Sequence, residues 1–296
     1  MDKILNNIEE VLPSDPHFPE VFLNLADKAD EVKTIYCIGD IRNLNILHKK
    51  AISIVGSRNS TLYGEQMAYD LANTLSDSGW SIISGGAIGI DSWAHFGALE
   101  SNIGKTVAFI AGGLKNLYPR SNIDLFARIV KSGGLIISEN FNEQTNQKHL
   151  FLLRNRLIAL YSQAAIVIEA AWRSGALSTA AHANRFFRPV GALPGLANCV
   201  TSAGTNELIK TNQASLVTSA DDIVELASPV GQSLFTAGDD ISQKILSVLP
   251  KTVFITVEKI AQKTNLSLNI IISKLARLEM SFLVETDGLG WKKANS

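Results

Sequence analysis

Three residues in one short stretch could assemble a hydrolase: Ser84, Asp91 and His95. A serine attacks when a histidine takes its proton and an acid orients that histidine. The elbow that exposes such a serine reads GxSxG, whereas Ser84 opens Ser84-Gly85-Gly86-Ala87-Ile88-Gly89-Ile90-Asp91. Asp91 and His95 are one helical turn apart and neighbour each other on a helix face. We expect Asp91 to cap or charge a helix start, and we assign no catalytic residue. Gly104-Lys105-Thr106 imitates a nucleotide-binding loop. That loop needs a glycine at position 99, where Leu99 stands, and it follows a strand, whereas this tripeptide precedes one. The two cysteines, Cys37 and Cys199, are far apart without a CxxC, and the five histidines form no ligand pair. No metal is expected.

Other residues suit binding. A turn from strand to helix aims backbone N–H groups and the positive helix end at a ligand above the sheet. Gly56-Ser57-Arg58-Asn59 reads as such a turn, with the Arg58 guanidinium at its rim. Ser84-Gly85-Gly86 reads as a second, and Arg173-Ser174-Gly175-Ala176 as another. Against the dinucleotide fingerprint GxGxxG, Ser84 replaces the first glycine while Gly86 and Gly89 fit. The following strand ends Ala111-Gly112-Gly113, without the acid a ribose needs. A dinucleotide is disfavoured and a phosphate-bearing ligand is not; no cofactor is expected. Lys148-His149-Leu150-Phe151-Leu152-Leu153-Arg154-Asn155-Arg156 sets an aromatic ring among cations. Single strands want that combination, with bases stacking on rings and phosphates meeting Lys or Arg. Arg154 or Arg156 could instead point inward to Glu169 or a backbone carbonyl, and at least one is expected to be structural.

Elements must carry these residues. Apolar β-branched runs at Ala51–Val55, Ser81–Ser84, Thr106–Ala111, Gly134–Ser138, Ala165–Glu169 and Pro189–Leu193 lack alternation and read as strands buried on both faces. Between the first two, Met67, Leu71 and Leu75 form a helix stripe that Gly79 terminates. The alternation predicts a Rossmann-like, mostly parallel α/β sheet with helices on both faces over 46–228. Residues 1–45 read as an N-terminal extension. Residues 229–240, rich in Pro, Gly, Ser and Asp, read as a linker. Over 241–296, helices at Ile241–Leu249, Val257–Lys263 and Leu268–Met280 precede a hairpin around Asp287-Gly288, the outline of a winged helix.

The 296 residues carry a formal charge of −1, so no strongly basic protein is written in the totals. From Gln144 to Pro189, however, Lys148, Arg154, Arg156, Arg173, Arg185 and Arg188 face one acid, Glu169. No apolar run reaches the roughly 18 residues of a membrane span, and no signal-peptide pattern opens the chain. A cytoplasmic protein is expected.

Taken together, GSR at 56–58, SGGAIGID at 84–91, the AGG…YPR stretch ending at Arg120, FLLRNRLIAL at 151–160, EAAWRSGALSTAAHA at 169–183, PVGALPG at 189–195 and SAGTNELI at 202–209 resemble the DprA/Smf family in order and spacing. The resemblance spans roughly residues 16–228. It implies a non-enzymatic DNA-processing protein that binds single-stranded DNA, forms a homodimer, protects incoming DNA and helps load the RecA recombinase in natural transformation. It places the DNA pocket at Arg58, Ser84, Gly85, Gly86, Lys148, Phe151 and Asn155. The surrounding Gly56, Ser57, Arg154, Arg156, Ser174 and Gly175 complete the candidate set. Two features depart from the family pattern. Phe187 stands where a glycine commonly precedes the Arg-Pro-Val strand, and the N-terminal SAM-like domain of many members is absent or truncated.

Two rivals remain on the sequence. A nucleoside-monophosphate phosphoribohydrolase of the lysine-decarboxylase-like group wants a contiguous PGGxGTxxE. Here Pro194-Gly195 lies well apart from Gly204-Thr205, and Glu207 follows too soon. A duplex-binding winged-helix regulator wants a basic recognition helix, and only Lys274 and Arg277 offer charge there, offset by Glu279.

Overall fold

The computed structural model describes residues 7–23, 25, 27, 30–141, 148–228, 240–280 and 283–294, and the side chains of 148, 240, 243, 269, 273, 277 and 280 lie outside that description. Two compact units divide at Ser228/Pro229.

The first unit is built on nine strands: β1 (Ile8–Val11), β2 (Ile35–Ile38), β3 (Ala51–Val55), β4 (Ser81–Ser84), β5 (Thr106–Phe109), β6 (Leu135–Ser138), β7 (Ala164–Val167), β8 (Val190–Ala192) and β9 (Ser215–Leu216). Their order is β1-β2-β6-β5-β4-β3-β7-β8-β9. All neighbours from β6 through β9 pair in parallel. Winding runs outward from β3 to β6, then restarts on the other side of β3 with β7. This reversal is a topological switch point, where the carboxyl ends of strands open a crevice in α/β sheets.

Alternate residues of the central strands feed two different cores, which is why these strands show no polar face. Ile52 and Ile54 pack with the Leu62–Asp77, Ile90–Glu100 and Ala220–Ala227 helices. Ala51 and Val55 pack with the Lys148–Leu160 and Gly175–Arg185 helices. The Leu62–Asp77 helix starts at Thr61, whose side chain accepts from the Gly64 N–H. It stops as expected at Gly79, with φ +79°. There the Trp80 N–H reaches the Leu75 carbonyl and the Gly79 N–H that of Ser76, closing a Schellman turn.

The N-terminal stretch is not a separate extension. β2 pairs antiparallel with β6 and β1 antiparallel with β2, so both complete the sheet on one edge. Phe18, Phe22 and Val32 lie in the same core as β3 and β7. An edge hydrogen-bonded and backed by buried aromatics belongs to the domain it covers.

In the second unit, helices Asp240–Val248, Val257–Thr264 and Leu268–Met280 precede the hairpin Val284–Thr286/Trp291–Lys293. Asn265, at φ +57°, turns the chain between the last two helices. The element order is the one read from the sequence. Of the expected linker, residues 229–239 lie outside the described residues and Asp240 opens the first helix, and Arg277's side chain lies outside the described residues too.

Candidate nucleic-acid interface

The turns following β3, β4, β5 and β7 converge at the switch point around an open cleft of about 660 Å3. From the β3 turn come Gly56, Ser57, Arg58 and Asn59; from the β7 turn, Arg173, Ser174 and Gly175. Phe151 and Asn155 of the Lys148–Leu160 helix form one wall, and Tyr118 another. A smaller recess, lined by Gly85, Ile88, Gly112 and Pro119, shares Arg58, Tyr118 and Phe151 with the cleft.

Arg58 is exposed, and its guanidinium lies 4.5 Å from the centre of the Phe151 ring. An arginine stacked on an aromatic face keeps its in-plane donors free for a phosphate. Glycine is required around this turn. A Cβ on Gly56 would run into Ile90, and one on Gly89, at φ +82°, into the Ser57 carbonyl. Ser57 Oγ both donates to the Asn59 carbonyl and accepts the Asn59 N–H, bending the loop locally. Ser174 caps the Gly175–Arg185 helix by accepting from the Ala176 N–H. Buried Asn155 donates to the Gly175 carbonyl at 3.0 Å, tying the aromatic wall to this helix start.

Glu169 fastens the β7 exit to the β3 loop, accepting from the Thr61 N–H at 3.0 Å and the Thr61 hydroxyl at 2.5 Å. Neither Arg154 nor Arg156 holds it. Arg154 is buried and donates to the carbonyls of Gly85, at 2.6 Å, and Phe109. Its role is to brace the β4 and β5 turns from within. Arg156 is buried too and forms a two-pronged pair with Glu139 at 2.6 and 2.7 Å. The β-strand end it pins makes it a scaffold residue, not a rim cation. Both arginines thus point inward: Arg154 to backbone carbonyls, one of the two expected targets, and Arg156 to Glu139, while Glu169, the other expected target, is held by Thr61.

Ser84 is likewise corrected. It is fully buried, and its hydroxyl donates to the Ile54 carbonyl at 2.6 Å. Gly86 is packed against Phe126 and Ile110, and its carbonyl accepts from Asn122. Of the second turn, Gly85 reaches the recess wall. The Lys148 side chain lies outside the described residues. The basic stretch from 144 to 189 is also less free than its composition suggests, since Arg185 pairs with Asp27 and Asp30. Arg173 and Tyr118 line the cleft but stood outside the candidate set, although Arg173 was read as the head of a turn. Arg173, at φ +62°, ends the loop between β7 and the Gly175–Arg185 helix, and its place directly before the Ser174 cap was the available signal.

The triad reading is contradicted by geometry. His95 Nδ1 contacts the Thr106 hydroxyl at 2.6 Å, not Asp91. That hydroxyl donates to the Ile82 carbonyl, so the ring must be the donor to Thr106, carrying its proton on Nδ1. Nε2 is buried without a partner. Burial, with Arg154's charge added, pushes His95 down to about 3, from 6.5. The folded state thus binds this proton less readily than the unfolded chain. Stability should fall as pH drops from about 6.5 toward 3. Melting curves of His95→Leu across that window are expected to show a shallower acid limb than the parent, and an identical limb would contradict this origin.

The family model described as DNA recombination-mediator protein A matches residues 9–228. A putative DNA processing protein DprA of Mycobacterium tuberculosis is 37% identical over 270 residues, covering 87% of this chain and 68% of that protein. The Streptococcus pneumoniae DNA processing protein A structure superimposes with a TM-score of 0.66 at 32% identity, covering 75% of each chain. The Helicobacter pylori DNA processing protein A structure, which concerns that protein's single-stranded DNA binding mode, gives 0.63 at 31% identity over 74% of this chain and 94% of the other.

Proposed function

Because the chain belongs to the DNA recombination-mediator protein A family, we propose that its switch-point cleft binds single-stranded DNA. One observation carries the reading: the exposed Arg58 guanidinium lies on the Phe151 ring at the mouth of a cleft lined by helix starts. Phosphate would meet Arg58 and the N–H groups at the head of the Gly175–Arg185 helix, and a base would stack beside Phe151. Arg173 joins Arg58 as a rim cation, and Asn155 and Ser174 hold the wall in place.

The likeness to the Helicobacter pylori protein supports the choice of a single strand over a duplex. We assign the chain a binding role in the cytoplasm, not catalysis, with homodimerisation and delivery of the coated strand to the RecA recombinase. The C-terminal unit acts as a winged helix in partner contacts. Titration of the purified protein against labelled single strands and blunt duplexes of the same sequence tests the reading. Preferential single-strand binding with little base specificity is expected. Equal or tighter duplex binding would contradict it.

A further inference from the structure

We propose that the single-strand track continues out of the cleft along the carboxyl edge of β4, β5 and β6 to a second cation–aromatic station made by Lys115, Phe141 and Tyr36. This rests on the reading of the cleft as a single-strand site, and extends it with residues that reading leaves unused.

Lys115 follows β5, and its ammonium lies 4.5 Å from the centre of the Phe141 ring. Phe141 follows β6 and packs on Tyr36 with ring centres 5.1 Å apart. Tyr36 pairs with Ser138, the last residue of β6, so all three side chains belong to one edge of the sheet. The arrangement repeats the chemistry of Arg58 on Phe151, a cation laid on a partly exposed ring. Lys115 is exposed and makes no ion pair among the described residues. Phe141 is 36% exposed, unusual for a phenylalanine that has a buried core one strand away. Glu139, two residues before Phe141, is neutralised by Arg156, and the Tyr36 hydroxyl at the far side of the station donates to Glu10 at 2.9 Å.

The station is held in place by its own hydrogen bonds. Asn140 donates to the Ala111 carbonyl at 2.9 Å, Ser138 to the Gly112 carbonyl at 2.8 Å, and the Leu114 N–H to the Asn140 carbonyl at 3.3 Å. These lock the turn after β6 to the turn after β5. The same Gly112 lines the recess that Arg58, Tyr118 and Phe151 share, so the two stations adjoin along one edge of the sheet. With strands about 4.8 Å apart, the three steps from β3 to β6 span about 14 Å. A strand stacked at the duplex rise of ~3.4 Å per nucleotide would cross that in about four nucleotides, and a stretched one in fewer. Bases stack on any aromatic face and cations follow the phosphates, so the same strand can use both stations without sequence preference.

Two oligothymidylates separate the track from the cleft: one of about 2 nucleotides, too short to cross the roughly 14 Å between the stations at the stacked rise, and one of about 20, beyond the upper end of single-strand site sizes. Lys115→Glu and Phe141→Ala are expected to weaken binding of the long probe about 5-fold or more and to leave the short probe unchanged. Lys115→Ala should lower the salt slope by about 0.7 for the long probe alone. Arg58→Ala, run alongside, should weaken both probes. If Arg58→Ala weakens both while the Lys115 and Phe141 variants bind the long probe normally, the track is wrong and the cleft stands. Equal losses on both probes would also overturn the track. If Arg58→Ala binds normally, the cleft reading fails and the track with it. Lys115 is a surface residue, so Lys115→Glu decides the matter even if Phe141→Ala folds poorly.

Discussion

Arg154→Ala is expected to destabilise the first unit by about 3–5 kcal/mol, the cost of removing one partner from a buried charged network. In a unit of this size that is a fall in Tm of roughly 6–20 °C. The guanidinium bridges the Gly85 and Phe109 carbonyls and also donates to the Asn155 side chain at 3.2 Å. Truncation leaves those acceptors buried without donors. It also exposes Asp91 to an uncompensated interior. Burial already holds the Asp91 carboxyl above the usual range, and Arg154 is the main charge pulling it back. Without Arg154 that pKa rises further, so the folded variant favours the protonated acid and loses stability as pH rises through it. The deficit relative to the parent should therefore shrink as pH is lowered toward the ordinary carboxylate range. Arg154 itself stays cationic at neutral pH, with burial pulling it down only to about 10. Arg154→Lys should recover only part, since an ammonium cannot reproduce the planar fork. Unchanged melting with lost DNA binding would mean Arg154 serves the ligand directly.

Arg58→Ala should behave in the opposite way. Its guanidinium is exposed, and the stacking contact with Phe151 contributes about 0.5–1 kcal/mol at such a site, so melting should hardly move. If it neutralises one phosphate, single-strand affinity falls and the salt slope drops by about 0.7. Charge reversal to Glu should weaken binding further. Phe151→Ala removes base stacking of about 1–3 kcal/mol, roughly a 5- to 150-fold loss. The stacked pair adds a condition. Because the ring orients the cation, the double variant should lose less than the sum of the single losses. Strict additivity would show that ring and guanidinium act on the strand independently. Normal affinity and an unchanged slope in folded Arg58→Ala would remove the site.

The central strands were legible because burial on both faces leaves continuous apolar runs such as Ala51-Ile52-Ser53-Ile54-Val55. β1 and β2 were not. Ile8-Glu9-Glu10-Val11 and Ile35-Tyr36-Cys37-Ile38 are short antiparallel additions outside the strand–helix rhythm, and only their partners identify them. At the site, the glycine turns announced where the backbone bends. Which cations face the ligand was harder. Phe151, Arg154, Asn155 and Ile158 all line the cleft, spaced as one helix face, so their sharing a wall could be read from the spacing. Depth along that face could not: Arg154 turns inward to two carbonyls that are 69 and 45 residues away in sequence. Arg156 is off the stripe and answers to Glu139, a residue on no motif.

The central claim is that the strand lies in the switch-point cleft of the first unit. An oligonucleotide carrying 5-bromouracil, irradiated in complex with the full chain and mapped by peptide mass spectrometry, reports the position of the bases directly. Cross-links are expected at half-buried Phe151 and exposed Tyr118, the rings that line the cleft, and they should vanish in Arg58→Glu. Cross-links confined to residues 240–294, with none in the first unit, would contradict the account.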